Sequence, residues 1–166
     1  MSTRSRIGIV NKDGKVVSIY CHSDGYPSYN GNILRKHYKS ERKVRELIGL
    51  GDISVLDRKI SPDPKGGRVR DYDHFPRTKP ANGRHSFDYD VGRQIGVTLA
   101  YHRDRGDCWR HCQQRVDPNA EAFVGGDVEE WGYLFKDGKW FYVDGHKSRR
   151  KLVELTEAEC KKELEY

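Results

Sequence analysis

Apolar and polar side chains alternate through RIGIVNKDGKVVSIYCH, residues 6–22, on both sides of the pair Asp13-Gly14. Period-two alternation describes a half-buried strand, and Asp-Gly tolerates the positive φ angles of a type I′ turn. The pattern therefore predicts a β-hairpin with strands near 5–11 and 15–22. WGYLFKDGKWFYVDG predicts a second hairpin, with strands at 131–135 and 139–143 turning at Asp137-Gly138. In QIGVTLAYHRDRG, Ile95, Val97, Leu99 and Tyr101 point one way and Gly96, Thr98, Ala100, His102 and Asp104 the other. That assigns 95–101 to an inner strand with its large apolar groups on the buried face. RRKLVEL, 149–155, reads as an edge strand.

Helical spacing is shorter and rarer. Ile33, Leu34, His37 and Tyr38 fit one face of a short helix, with Ser28 or Asn30 available as its cap. Ser40 caps a second helix whose apolar stripe is Val44, Leu47 and Ile48, closed by Gly49 and Gly51. Thr156 and Glu159 have capping-box spacing for a last helix over 157–165. The class is α+β: a mainly antiparallel sheet with two hairpins and three short helices.

Composition adds limits to this picture. A chain of 166 residues suits one domain with a single core, residues 1–166. Three Trp and ten Tyr supply bulk for that core although charged residues reach 34%. No apolar run approaches the roughly 18 residues of a membrane helix, and MSTRSRIG lacks the apolar region of a signal peptide. The four cysteines are then expected to be thiols, as in a reducing compartment.

The net charge of +6 favours anionic partners, and nearly all of the excess sits in one segment. Residues 58–84 carry an excess of five positive charges and four of the six prolines. Proline removes a backbone donor, so beyond Ile60 the segment is expected to be a long basic loop inserted in the domain. Arg68, Arg70, Arg77 and Lys79 are its candidate partner or nucleic-acid contacts, with Tyr72, His74 and Phe75 as stacking groups. The interleaved Asp63, Asp71 and Asp73 limit that attraction, so weak, sequence-independent and salt-sensitive nucleic-acid binding is expected.

The candidate chemistry lies at strand ends. Tyr20, His22 and Asp24 share a strand face, and Cys21 points the other way, which separates the thiol from the imidazole as a nucleophile and base. The same H-x-D spacing recurs at His102 and Asp104. Were these two strand ends neighbours, two imidazoles and two carboxylates would converge on one polar pocket, with His22 and His102 as acid and base in an enzymatic reading. Arg4, Arg6, Arg103 and Arg105 could give bidentate donors to phosphate or carboxylate there, beside Tyr26. Cys108, His111 and Cys112, with His102 as a fourth ligand, have spacing permitted for zinc, but no second Cys pair completes the set. The fingerprints of P-loop nucleotide hydrolysis, dinucleotide binding, serine hydrolysis and zinc proteolysis are missing, and no cofactor is expected.

MSTRSRIGIVNKDGKVVSIYCHSDGYPSYNGNILRKHY, KVRELIGLGDIS, HSF at 85–87, VTLAYHRDRGD and YLFKDGKWFYVDG resemble a family of small uncharacterised proteins of tailed bacteriophages and prophages. The motif YCHxDGYP is the most specific part, and the match covers most of residues 1–60 and 85–145; the basic insertion and CWRHC depart from it. The resemblance implies an accessory role in the host cytoplasm and assigns no residue a function. Three readings follow: a non-enzymatic binder that inhibits or sequesters a host component, a host protein or a small anionic ligand; a small enzyme acting on a phosphorylated or nucleotide-like molecule; and a nucleic-acid-binding protein.

Overall fold

In the computed structural model, residues 2–61, 77–78, 86–87 and 96–162 are described. The alternating stretches Ser5–Val10 (β1) and Val16–Cys21 (β2) form the first hairpin, and Trp131–Lys136 (β8) and Lys139–Asp144 (β9) form the second. The hairpins join through β1 and β8, which run parallel with Ile7 opposite Tyr133. Ile53–Val55 (β3) continues the sheet alongside the end of β2, and Leu99–Ala100 (β6) pairs antiparallel with β3. Val153–Glu154 (β10) lies at the opposite edge, and the order among the described residues is β10-β9-β8-β1-β2-β3-β6. Arg115–Asp117 (β7) pairs with the first half of β2, where β3 does not reach. Arg77–Thr78 (β4) and Ser86–Phe87 (β5) pair antiparallel with each other. The architecture is α+β with a mixed, mostly antiparallel sheet.

The two Asp-Gly turns differ. Asp137 (φ 51°) and Gly138 (φ 77°) are both left-handed, as a two-residue type I′ loop between Lys136 and Lys139 requires. In the first hairpin only Gly14 has positive φ (85°), and Asn11 N–H donates to Lys15 O across three loop residues. That is a type I turn closed by a left-handed glycine, not the expected type I′ turn.

One sheet face carries most of the core. Ile7, Ile9, Ile19, Trp131, Tyr133 and Trp140 pack against Leu34, Tyr38, Val44 and Leu47. The last four come from helices Asn32–His37 (α1) and Glu41–Gly49 (α2) and the residue following α1. Ser40 caps α2 by accepting from Lys43 N–H, and Val44, Leu47 and Ile48 are its buried residues, as the spacing predicts. Neither Ser28 nor Asn30 caps α1. A π-helical turn at Pro27–Gly31 leads directly into it, and Asn30 is buried. At the C-terminal end, Glu157–Lys161 (α6) is shorter than the expected 157–165, and residues 163–166 lie outside the described residues. Thr156 accepts from Glu159 N–H, but the Glu159 carboxylate turns to Tyr142 OH instead of completing a capping box.

The stretch expected as an inner strand is corrected in two ways. Among the described residues β6 ends the sheet order and contains only Leu99–Ala100, with Val97 bridged to Lys59. Tyr101 begins a helix, Tyr101–Arg105 (α3), and Ile95 lies outside the described residues. Val97, Thr98, Leu99 and Ala100 are all buried, so both faces are covered and the alternation did not separate core from solvent. Trp109–Cys112 (α4) and Ala120–Gly125 (α5) are also helices that the pattern did not reveal, four and six residues long. Helices this short offer too few turns for a periodic stripe.

Of the basic insertion, Lys59 is tied to the body, donating to Gly96 O and accepting from Thr98 N–H. Arg68, Arg70, Lys79 and the stacking candidates Tyr72, His74 and Phe75 lie outside the described residues, and Arg77 falls in β4.

Candidate functional site

The motif YCHSDGYP divides its residues between two tasks. Cys21, Asp24 and Gly25, with Asn30 three residues past the motif, hold the chain start against the sheet. Gly25 N–H donates to Thr3 O, and Tyr133 OH donates to Gly25 O at 2.6 Å. A Cβ at Gly25 would lie 2.8 Å from Ser5 Cβ and 2.9 Å from the Arg4 carbonyl carbon, so only glycine allows this approach. Asn30 Nδ2 reaches Ser5 Oγ, Cys21 Sγ and Ser23 O from a fully buried position. Burial pushes the Cys21 thiol up to about 11, so at neutral pH it is a packing group and not a nucleophile. Asp24 has φ 53° and lies within 3.4 Å of Tyr26 OH.

Tyr20 and His22 project from the other face. Their hydroxyl and Nδ1 share a hydrogen bond of 2.7 Å, so the expected partner Asp24 is replaced by Tyr20. The strand register puts a polar group around them. Arg6 lies opposite Tyr20, Gly8 opposite Ser18, and Ser18 opposite Arg115, and directly opposed residues share a face. Arg6 Nη1 donates to the fully buried Ser18 Oγ at 3.1 Å. Arg115 donates through Nε to Asp117 and through Nη1 to Asp127 O. Asp52 Oδ1 accepts the Tyr20 N–H at 2.9 Å, filling the gap in the β2 ladder between β7 and β3.

The electrostatics of this face are set by burial. Desolvation, followed by the charge of Arg115, lowers the Arg6 pKa from its ordinary value, while Asp52, Glu129 and Asp127 support the charged form. Burial raises the Asp52 carboxyl, opposed by the Tyr20 N–H and Arg6. Burial and the nearby Tyr101 raise the Tyr20 phenol to about 12. Among the described residues, two buried donors on this face, Arg6 Nε and Arg115 Nη2, have no acceptor. An unfilled buried donor costs about 1–3 kcal/mol, more when charged.

The structure does not bring the two H-x-D pairs together. β2 and β3 run parallel, and His22 N–H donates to Ile53 O; β6 runs the other way, and Tyr101 N–H donates to Asp52 O. The chain beyond Tyr101 therefore moves away from His22, and it winds into α3. His102 is exposed, with Nδ1 2.8 Å from Asp107 O and its ring 5.3 Å from Trp109. Asp104 is buried, accepting from Ala100 N–H and from Arg103 at 2.9 Å and 3.0 Å. Arg103 also donates to Ile60 O and Thr98 O, so the pair clasps α3 to the strand before it. Arg105 lies over the Tyr101 ring, and Arg4 is exposed with its N–H on Glu130.

The zinc set is likewise dispersed. Cys108 is exposed, Cys112 is buried with burial raising its thiol pKa, and among the described residues no group of three or more His, Cys, Asp or Glu could hold a metal. Nor do Cys108 and Cys112 share a packing face, as α4 starts only after Cys108.

Of the strand-end residues singled out from sequence, Arg6 and His22 belong to the polar face, and Arg115, Asp52 and Glu129 complete it. The missing three come from short or irregular elements. The Arg-x-Asp spacing in RVD was the available signal for Arg115. His146 pairs with Asp144 at 2.8 Å and meets the Trp131 ring edge to face, an imidazole–carboxylate contact hidden in the Asp144-Gly145 turn. Comparison with protein-family models, with curated proteins and with solved structures finds no match. Among the described residues no helix is long and apolar enough to cross a membrane.

Proposed function

We propose that this protein is a non-enzymatic binder of a small anionic molecule, acting as an accessory protein of a tailed bacteriophage that sequesters a component of the host cytoplasm. The observation that carries the reading is the pair of unfilled donors, Arg6 Nε and Arg115 Nη2, on one sheet face. Guanidinium groups match the planar, two-oxygen edge of phosphate and carboxylate, and their donors are already fixed by Ser18 and Asp117. Asp52 and Glu129, beside Arg6, favour a ligand that also carries hydroxyl or amino hydrogens. The phage assignment rests on the motif YCHxDGYP and the segments quoted with it. The excess positive charge of residues 58–84 would add long-range attraction for the same anion or for an acidic partner.

The test is calorimetric titration with pyrophosphate, citrate and adenosine monophosphate, on wild type, Arg6→Gln and Arg115→Gln. At least one of these anions is expected to bind one to one with micromolar affinity and to be recovered chemically unchanged. Each substitution removes a charged donor and is expected to weaken binding tenfold or more. Equal affinity in all three proteins would overturn the assignment to this face, and a ligand recovered as a reaction product would overturn the non-enzymatic reading.

A further inference from the structure

Elsewhere in the molecule, α5 and the segment 147–152 enclose a groove of about 640 Å³, within the size range of small-molecule sites. Its apolar side chains are Ala120, Val124 and Leu152, which border the second core cluster formed by Val16, Phe123, Val128, Leu134 and Val143. Arg150 fixes the wall: Nη1 donates to Val124 O and Gly126 O and Nη2 to Gly145 O. All three acceptors are neutral carbonyls, so the guanidinium charge is oriented but not cancelled. Lys147 stands beside it, and among the described residues neither cation has a carboxylate within 4.0 Å, while the charge of Lys147 also reaches the Glu159 carboxylate at longer range. The one carboxylate lining the groove, Glu121, belongs to the α5 side.

We infer that this groove binds a small amphipathic anion, an apolar body carrying a single carboxylate or sulfonate, with the body on Val124 and Leu152 and the charge at Lys147. A compact apolar floor bounded by fixed positive charge complements both halves of such a molecule. The site shares no residue with the Arg6–Arg115 face, so the two bind independently. The groove is also unsuited to a polyanion, because Glu121 would oppose a second negative charge.

Titration with 1-anilinonaphthalene-8-sulfonate, followed by its fluorescence, and displacement by decanoate test the proposal on the full chain. The expected result is saturable one-to-one binding with a Kd in the tens of micromolar, displaced by decanoate. Lys147→Glu, an exposed position, is expected to weaken binding at least fivefold with an unchanged unfolding midpoint. Ala120→Trp, which fills the groove, is expected to abolish binding, and Arg6→Gln to leave it intact. Absence of saturable binding, unaltered binding in Lys147→Glu, or loss of binding in Arg6→Gln would each overturn the proposal. Displacement by an apolar C-terminal peptide with no displacement by decanoate would overturn the small-molecule assignment in favour of a protein terminus.

Discussion

Asp52 occupies the position where a missing strand would otherwise leave a backbone donor empty. β7 serves the first half of β2 and β3 its end, so the Tyr20 N–H between them finds a carboxylate oxygen. Its pKa is raised from 3.8, which means that folding favours the protonated carboxyl. The associated stability is full below about 3.8 and is lost as pH rises through the folded value. Asp52→Asn keeps an oxygen for Tyr20 and removes the buried charge, so at pH 7 its stability is expected to equal or exceed that of wild type. As the pH is lowered towards the ordinary carboxylate range, wild type should gain relative to this variant. Asp52→Ala empties the donor and is expected to be about 1 kcal/mol less stable than Asp52→Asn at both pH values. Chemical denaturation of the three proteins at pH 4 and pH 7 checks this. A marked loss of stability in Asp52→Asn at pH 7 would show that the carboxylate acts through its charge and not through its oxygen.

At the scale of elements, the two KDGK hairpins were legible because Asp-Gly flanked by alternation is a local signal. What the local signal could not specify was the turn type. The same tetrapeptide closes a two-residue loop in one hairpin and part of a three-residue loop in the other, depending on the strand register. Asp137 pays a left-handed backbone conformation that Asp13 does not. Asp137→Val is therefore expected to destabilise by about 1–2 kcal/mol, because a β-branched side chain resists positive φ. Asp13→Val loses only the exposed bond to Lys15 N–H, expected to cost less than about 1 kcal/mol. Equal losses in thermal or urea unfolding would contradict the assigned difference in turns. The same reasoning explains the error at 95–101: Thr98 and Ala100 are small enough to be buried beside Val97 and Leu99, so alternation was present without a solvent face. His102 and Asp104 were thereby placed at a strand end when they lie in α3.

For the whole molecule, one sheet face carries most of the core, and the other carries a second core cluster beside a polar patch. One face is covered by α1, α2, α6 and the π-helical turn, and the YCHSDGYP stretch belongs largely to that face through Cys21 and Gly25, with Asn30 of the π-helical turn bonding to Cys21. The other face carries Arg6, Ser18, Tyr20 and Arg115 where β1, β2 and β7 meet. Sequence could show that Tyr20 and His22 point together, because two residues in one strand fix their own relation. It could not show Arg115 opposite Ser18, a pairing across almost a hundred residues that only the folded register creates. Side-chain nitrogen NMR reads the donors on that face directly. In ¹⁵N-labelled protein, the Arg6 and Arg115 Nε–H signals, assigned through Arg6→Gln and Arg115→Gln, are followed during titration with pyrophosphate, citrate and adenosine monophosphate. Both signals are expected to shift together and saturate with one binding constant for at least one anion, with the signals of Arg42 and Arg45 unchanged. Arg6 and Arg115 signals that stay fixed while any of these anions binds, or that remain fixed with all three, would contradict the account.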